Sequence, residues 1–193
     1  ISDPVFETPM RCDRASLMKA RFAKGALAAK GLMYFPEKIP SDIDYAKHIP
    51  LAIRRNIKIM TNAPLPFIGI RGIRRMGQQL LKLERDAAQR EHYLPLYLGH
   101  IVRMQEEIGT GGAGFRFIYA AFLRESSKLL DSAKLKEAAT AMTDAGDHWR
   151  SFALRASKMC KGREKMDAAL LNEILNGCAD REALAWKMLE NAL

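Results

Sequence analysis

Cysteine is scarce in this 193-residue chain. Cys12, Cys160 and Cys178 are an odd number at no ligand-like spacing. That excludes a disulfide framework and a paired-cysteine zinc site, and it points to a reducing, cytoplasmic setting. Each cysteine reads as a small apolar filler rather than a nucleophile. Long apolar runs are also missing. The longest stretch without a charged side chain, Ile59 to Ile70, has 12 residues and contains Pro64 and Pro66, too few to span a bilayer. The first twelve residues hold no apolar segment of a secretory signal. The chain opens on Ile1 rather than Met, so a fragment, a processed product or an excised domain is expected. Proline is absent from the last 98 residues, all eight prolines falling at or before Pro95. Alternating strand patterns and internal repeats are missing too.

What is present is an ordinary globular balance, 48% hydrophobic and 27% charged, which rules out a disordered or low-complexity chain. The net charge of +9 is unevenly placed: residues 1–90 carry 17 Lys and Arg against 8 Asp and Glu, and residues 91–193 carry 14 of each. A basic half beside a neutral half suggests an acidic partner, whether nucleic acid, an anionic membrane or an acidic protein such as an acyl carrier protein. A solvated basic surface is the plainer reading.

The fold expected is all-α, an irregular bundle of about seven to eight helices with a short extended lead-in over residues 1–12 and a helical domain over 13–193. Asp13 or Ser16 can cap the first helix, and Ser41 and Asp42 the second, which Pro50 kinks or restarts. Ile53, Ile57 and Met60 recur at helical spacing, as do Ile73, Met76, Leu80 and Leu83. Pro95 suits the first turn of the next helix, ended by Gly109. Phe115, Ile118, Phe122 and Leu129 share one face of another. The longest helix is expected from about Lys134 to Met159, and two shorter ones from about Arg163 and Asp180, separated by Gly177.

The chemistry-bearing stretch is Glu106-Glu107-Ile-Gly-Thr-Gly-Gly-Ala-Gly-Phe-Arg116, continuing to Tyr119. One glycine would end a helix; four in six residues suggest close backbone approach, or amides converging on an anion. No Lys-Ser or Lys-Thr follows, so it is no Walker loop, and a helix rather than a strand precedes it, so it is no dinucleotide fingerprint. Glu106 and Glu107 face the negative end of a helix dipole and need compensation, for which Arg116 is the nearest candidate. His48, His92, His100 and His148 are scattered, no metal site is expected, and no nucleophile–base pair is readable. The turn holding Pro64 and Pro66 is too long and apolar for a DNA-reading helix-turn-helix, so nucleic acid is not expected.

The run Ile108-Gly-Thr-Gly-Gly-Ala-Gly-Phe-Arg116, followed by Tyr119-Ala-Ala-Phe-Leu-Arg-Glu125, resembles the helical C-terminal region of butirosin biosynthesis protein H-like proteins. Three further features agree in order: Ile1-Ser-Asp-Pro4, Phe67-Ile-Gly-Ile-Arg-Gly-Ile-Arg74, and Trp149 late in a long helix. The resemblance spans about residues 1 to 157. It implies an upstream papain-like domain, carrying a Cys nucleophile and a His, that transfers an acyl group from a carrier-protein thioester to an amine in natural-product biosynthesis. This chain would then be the accessory, substrate-binding part, not catalytic alone and needing no cofactor. A free-standing helical binding or regulatory module with a basic surface is the alternative.

The candidate site follows from the residues. Glu106 or Glu107 would receive a cationic amine, and the amides of Gly111, Gly112 and Gly114 would cradle an anionic group. Arg116 would clamp either, and Tyr119 or Trp149 would form an aromatic wall. Arg54, Arg55, Arg71, Arg74 and Arg75 would dock an acidic acyl carrier protein, while no membrane partner is expected.

Overall fold

A computed structural model describes residues 7–25, 28, 30–38, 41–108 and 110–193. The expected start at Ile1–Pro4 and the helix stop at Gly109 lie outside the described residues. The architecture is all-α: seven α-helices and one short turn of 3-10 type, with no strand among the described residues. The chain divides into two compact units, Ile1–Ile43 and Asp44–Leu193.

The first unit contains α1, Arg14–Arg21, capped by Asp13, whose carboxylate accepts from the Ser16 amide at 2.8 Å. Arg21 donates to the Gly31 carbonyl at 2.7 Å and ties the helix to the segment after it. The apolar run Leu32 to Phe35 forms no strand, and its side chains are exposed.

The second unit begins with α2, Tyr45–Asn62, capped by Asp44 rather than by Ser41 or Asp42. Pro50 stands inside α2. The helix continues because Ile49, Ile53 and Ile57 all enter the core, outweighing one lost backbone hydrogen bond. A tight turn leads to α3, Gly69–Arg85. Gly69 has φ +64, and a Cβ there would collide with the Met60 carbonyl, so only glycine lets the two helices fold back on each other. Asp86 then caps α4, Ala87–Glu106, which begins earlier than expected and leaves Pro95 in its interior. After a left-handed turn at Ala113–Phe115 come α5, Arg116–Leu129, α6, Ala133–Cys160, and α7, Ala168–Asn191.

Helices α6 and α7 pack along each other and organise the remainder: α4 and α5 lie on α6, while α2 and α3 lie on α7. Their facing surfaces are rich in small residues, among them Ala138, Ala139, Ala145, Ala156, Ala179 and Ala185. Two apolar clusters fill the unit. One joins Leu80, Leu94, Leu98, Phe152, Leu171 and Leu175; the other joins Ile53, Leu123, Leu135, Met142, Trp186 and Leu189.

Two expectations are corrected. No break occurs at Gly177: α7 runs through it, since an interior glycine costs only about 1 kcal/mol and burial on both sides exceeds that. The four side chains expected on one face of α5 divide: Phe122 is half-buried against the second apolar cluster, and the other three are exposed. Ala120, Leu123, Ser126 and Ser127 are buried, while Phe115, Ile118 and Leu129 are 57%, 52% and 60% exposed. Gly146 of α6 makes room for the Phe117 ring of α5, which fixes the face that α5 turns to α6.

Core and surface substitutions should therefore separate cleanly in denaturant unfolding. Phe152→Ala in α6 is expected to cost about 3–5 kcal/mol, whereas Leu154→Ala, two residues on and exposed, stays within about 0.5 kcal/mol. Equal losses would contradict this assignment of faces.

Candidate functional site

From Gly111 to Phe115 every residue has positive φ, at 66, 82, 50, 53 and 71°. Glycine tolerates this, but Ala113 and Phe115 each bear a cost of about 1–2 kcal/mol. The surrounding groups hold the turn in place. Glu106 Oε1 accepts the Ala113 amide at 3.0 Å, and the buried Gln105 side chain donates both to the Trp149 carbonyl at 2.9 Å and to Glu106 Oε1 at 3.1 Å. The Thr110 hydroxyl donates to the Gln105 carbonyl, and Arg150 stands 3.9 Å from Glu106 Oε2. The anion that meets this glycine turn is thus the chain's own Glu106, and the group answering the dipole at the end of α4 is Arg150 together with the Ala113 amide. A Cβ on Gly112 would come within 3.0 Å of the Arg150 guanidinium and 3.1 Å of Glu106 Oε2. Glu107 is exposed.

Arg116 does not pair with Glu106 or Glu107. Its guanidinium meets Glu182 Oε1, Nη2 at 2.7 Å and Nε at 2.9 Å, and Nη1 donates to the Gly114 carbonyl at 2.8 Å. Glu182 is completely buried. It also accepts from the Trp149 indole at 2.6 Å and from the Trp186 indole at 3.4 Å. Arg116 lies over the Trp149 ring, 4.8 Å from its centroid, a partly buried cation–π contact. One carboxylate of α7 therefore fastens α5, α6 and the glycine turn together. Sequence reasoning passed over Glu182, although a signal existed. Leu175, Cys178, Ala179, Glu182, Ala185, Trp186 and Leu189 share one helical stripe, in which a lone carboxylate marks a buried, partnered charge.

Beside this cluster a cleft of about 220 Å³ opens between α2 and α5. Asn56, Ile59 and Met60 form one wall; Gly114, Phe115, Arg116 and Tyr119 form the other; Met142 and Trp186 complete it. The lining is mostly apolar. Of the two aromatic side chains expected as a wall, Tyr119 belongs to this cleft and Trp149 does not: Trp149 is buried against Glu182, and Trp186 lines the cleft beside Tyr119. Tyr119 and Trp186 ring centroids are 5.3 Å apart. The Tyr119 hydroxyl is buried without a hydrogen bond of good geometry. Burial raises its pKa, and the Asn56 side chain opposes that rise in part.

The five arginines do not form one free patch. Arg54 donates to the Leu193 carbonyl at 3.1 Å, Arg71 donates to the Ala63 carbonyl, and Arg74 pairs with Asp180 at 2.6 Å. Arg55 and Arg75 are exposed and make no ion pair among the described residues. No described helix is long and apolar enough to cross a membrane. Among the described residues no three His, Cys, Asp or Glu side chains gather as a metal site would require.

Removing one member of the buried pair should be costly. Glu182→Leu strands the Arg116 charge and two indole N–H groups, with an expected loss near 3 kcal/mol, the lower end for a buried pair because Arg116 is partly exposed. Glu182→Gln should lose less, and adding Arg116→Met to Glu182→Leu should recover part of the loss. Strictly additive single and double variants in denaturant titrations would refute the coupling. The thiol of Cys178, on the same buried stripe, is pushed up to about 12 from 9.0, first by burial and then by the neighbouring Glu182. Folded protein should therefore alkylate at exposed Cys12 but at Cys178 only on unfolding. Because the folded-state value is the higher one, the thiol's contribution to stability is complete below pH 9.0 and declines toward 12. Reagent uptake by native protein at Cys178 at neutral pH would contradict this.

No curated protein and no solved structure matches the chain. Residues 15–189 match a family model described as Domain of unknown function (DUF4872). That match runs from within α1 to near the end of α7, well beyond half the chain, so the protein belongs to the DUF4872 family.

Proposed function

We propose that this chain is the substrate-binding helical part of an acyl-transferring enzyme of natural-product biosynthesis, with the Cys and His chemistry supplied by a separately folded papain-like domain. The observation that carries the reading is the mostly apolar cleft between α2 and α5, set against the glycine turn and the Glu182–Arg116 cluster. A hydrogen-bonded cluster at the wall of an apolar cleft is how a protein presents a preformed site for a small ligand. Its volume, about 220 Å³, exceeds the roughly 150 Å³ apolar cavity that accepts benzene. It suits the apolar portion of an acyl group, with Asn56, Arg116 and Tyr119 the polar side chains in its lining. Three free cysteines suit a reducing cytoplasm.

The resemblance to the butirosin biosynthesis protein H-like region supplies the acyl-transfer half of the proposal, and the cleft supplies the binding half. The other reading, a free-standing helical binding module, draws on the fact that the cleft is complete within residues 44–193. Coding sequence for a Cys/His domain immediately before Ile1 separates the two.

The purified chain should bind a neutral apolar naphthylamine probe, displaceable by a medium-chain acyl thioester. Ile59 lies on the exposed rim of the cleft, so Ile59→Trp should fill the opening without disturbing the core. Binding should weaken about tenfold, equivalent to 1.4 kcal/mol. In an enzyme carrying the catalytic domain, the same substitution should raise KM for the acyl donor with kcat preserved. Unchanged probe affinity in Ile59→Trp would rule out the cleft.

A further inference from the structure

The α2–α5 cleft has one charged side chain in its lining, Arg116, and that charge is already answered. Nη2 and Nε of Arg116 hold the buried Glu182 carboxylate, and Nη1 donates to the Gly114 carbonyl. The Trp186 indole N–H, from the same lining, is also given to Glu182, at 3.4 Å. Two polar groups remain, the Asn56 carboxamide and the Tyr119 hydroxyl. The hydroxyl is closed off from solvent and lacks a hydrogen bond of good geometry, and Asn56 is the side chain near enough to act on it. The Tyr119 ring packs against Phe122 and Trp186, at ring-centroid distances of 5.7 and 5.3 Å, so the hydroxyl has little freedom to seek another partner. Asn56, half-buried in the lining, is the polar side chain that meets both this hydroxyl and the open cleft.

We infer that this cleft selects an uncharged ligand: Asn56 donates to the carbonyl of an acyl thioester or amide, its other end accepts from the Tyr119 hydroxyl, and the corresponding carboxylate is refused. The inference rests on the reading of the cleft as an acyl site and names the acyl derivative it takes. A carboxylate entering an apolar cleft gives up its hydration and needs a cation in return. Arg116 cannot serve, because turning it to a ligand would strand the completely buried Glu182. A thioester or amide carbonyl carries no net charge and asks for one donor, which a carboxamide supplies. The carboxamide also has an oxygen of its own, so the same side chain can satisfy the buried hydroxyl, an otherwise costly orphan. Tyr119 is thus a positioning residue that orients Asn56. An activated acyl group is bound in the presence of its free acid.

Displacement of the naphthylamine probe from the whole chain tests this with a pair of nearly equal size, octanamide and octanoate, at neutral pH. Octanamide should bind about tenfold or more tighter than octanoate. Asn56→Leu, close in size but without either polar end, should weaken octanamide about tenfold and the probe much less, since the probe needs no hydrogen bond. Tyr119→Phe should weaken octanamide about threefold, while its denaturant midpoint holds or rises because the hydroxyl has no well-made bond to lose. Equal binding of octanamide and octanoate overturns the inference but leaves the cleft reading standing, because the probe still reports an apolar site. Equal weakening of probe and octanamide by Asn56→Leu does the same, assigning Asn56 to packing alone. A probe that does not bind the unsubstituted chain overturns the cleft reading and this inference with it.

Discussion

A single buried carboxylate, Glu182, holds the second unit in one arrangement. Placing a charge in an apolar interior is costly unless every oxygen finds a donor, and here the donors come from three elements: Arg116 at the start of α5, Trp149 of α6 and Trp186 of α7 itself. An arrangement that slid α5 along α6 by one turn would break several of these contacts at once. The pair therefore ties stability to one register of these helices. The Glu182 cluster joins the alanine-rich α6 and α7 to α5.

The glycine turn depends on that cluster. Five consecutive left-handed residues are unfavourable on their own, above all at Ala113 and Phe115. They persist because Glu106, Gln105 and Arg150 grip the turn from one side and Arg116 from the other. The conformation turns the chain sharply from α4 into α5, setting Phe115 and Tyr119 against the residues of α2. The cleft between α2 and α5 is a consequence of this geometry, with Phe115 and Tyr119 in its wall, while Leu123 of α5 is buried and Ile118 and Leu129 are exposed.

The surface divides in the same way. One side of the α2–α3 hairpin contributes Asn56, Ile59 and Met60 to the cleft, while its tip presents Leu65 and Phe67 to solvent. Most of the arginines that look like a docking patch in the sequence have local duties. Arg54 and Arg71 satisfy backbone carbonyls and Arg74 is paired, which leaves Arg55 and Arg75 as the free members. Positive charge along a chain measures how many cations are present, and it does not say which ones the fold has already used.

The sequence by itself determined the all-helical class, the long α6 and the apolar stripes of α2 and α3. These follow from local properties: the missing prolines after Pro95, and residues at spacings of three and four that cannot be buried in any other way. It also marked the glycine corner, because surplus glycine is visible without coordinates. Tertiary structure alone decided which face of α5 turned inward, that α7 passed unbroken through Gly177, and that Arg116 belongs to Glu182, 66 positions away, rather than to the adjacent Glu106 or Glu107. Amphipathic periodicity identifies two candidate faces of a helix but not the width of the groove awaiting them. A salt bridge goes to the partner that packing desolvates, not to the one nearest along the chain. The local rules end where one helix must choose how to lie on another.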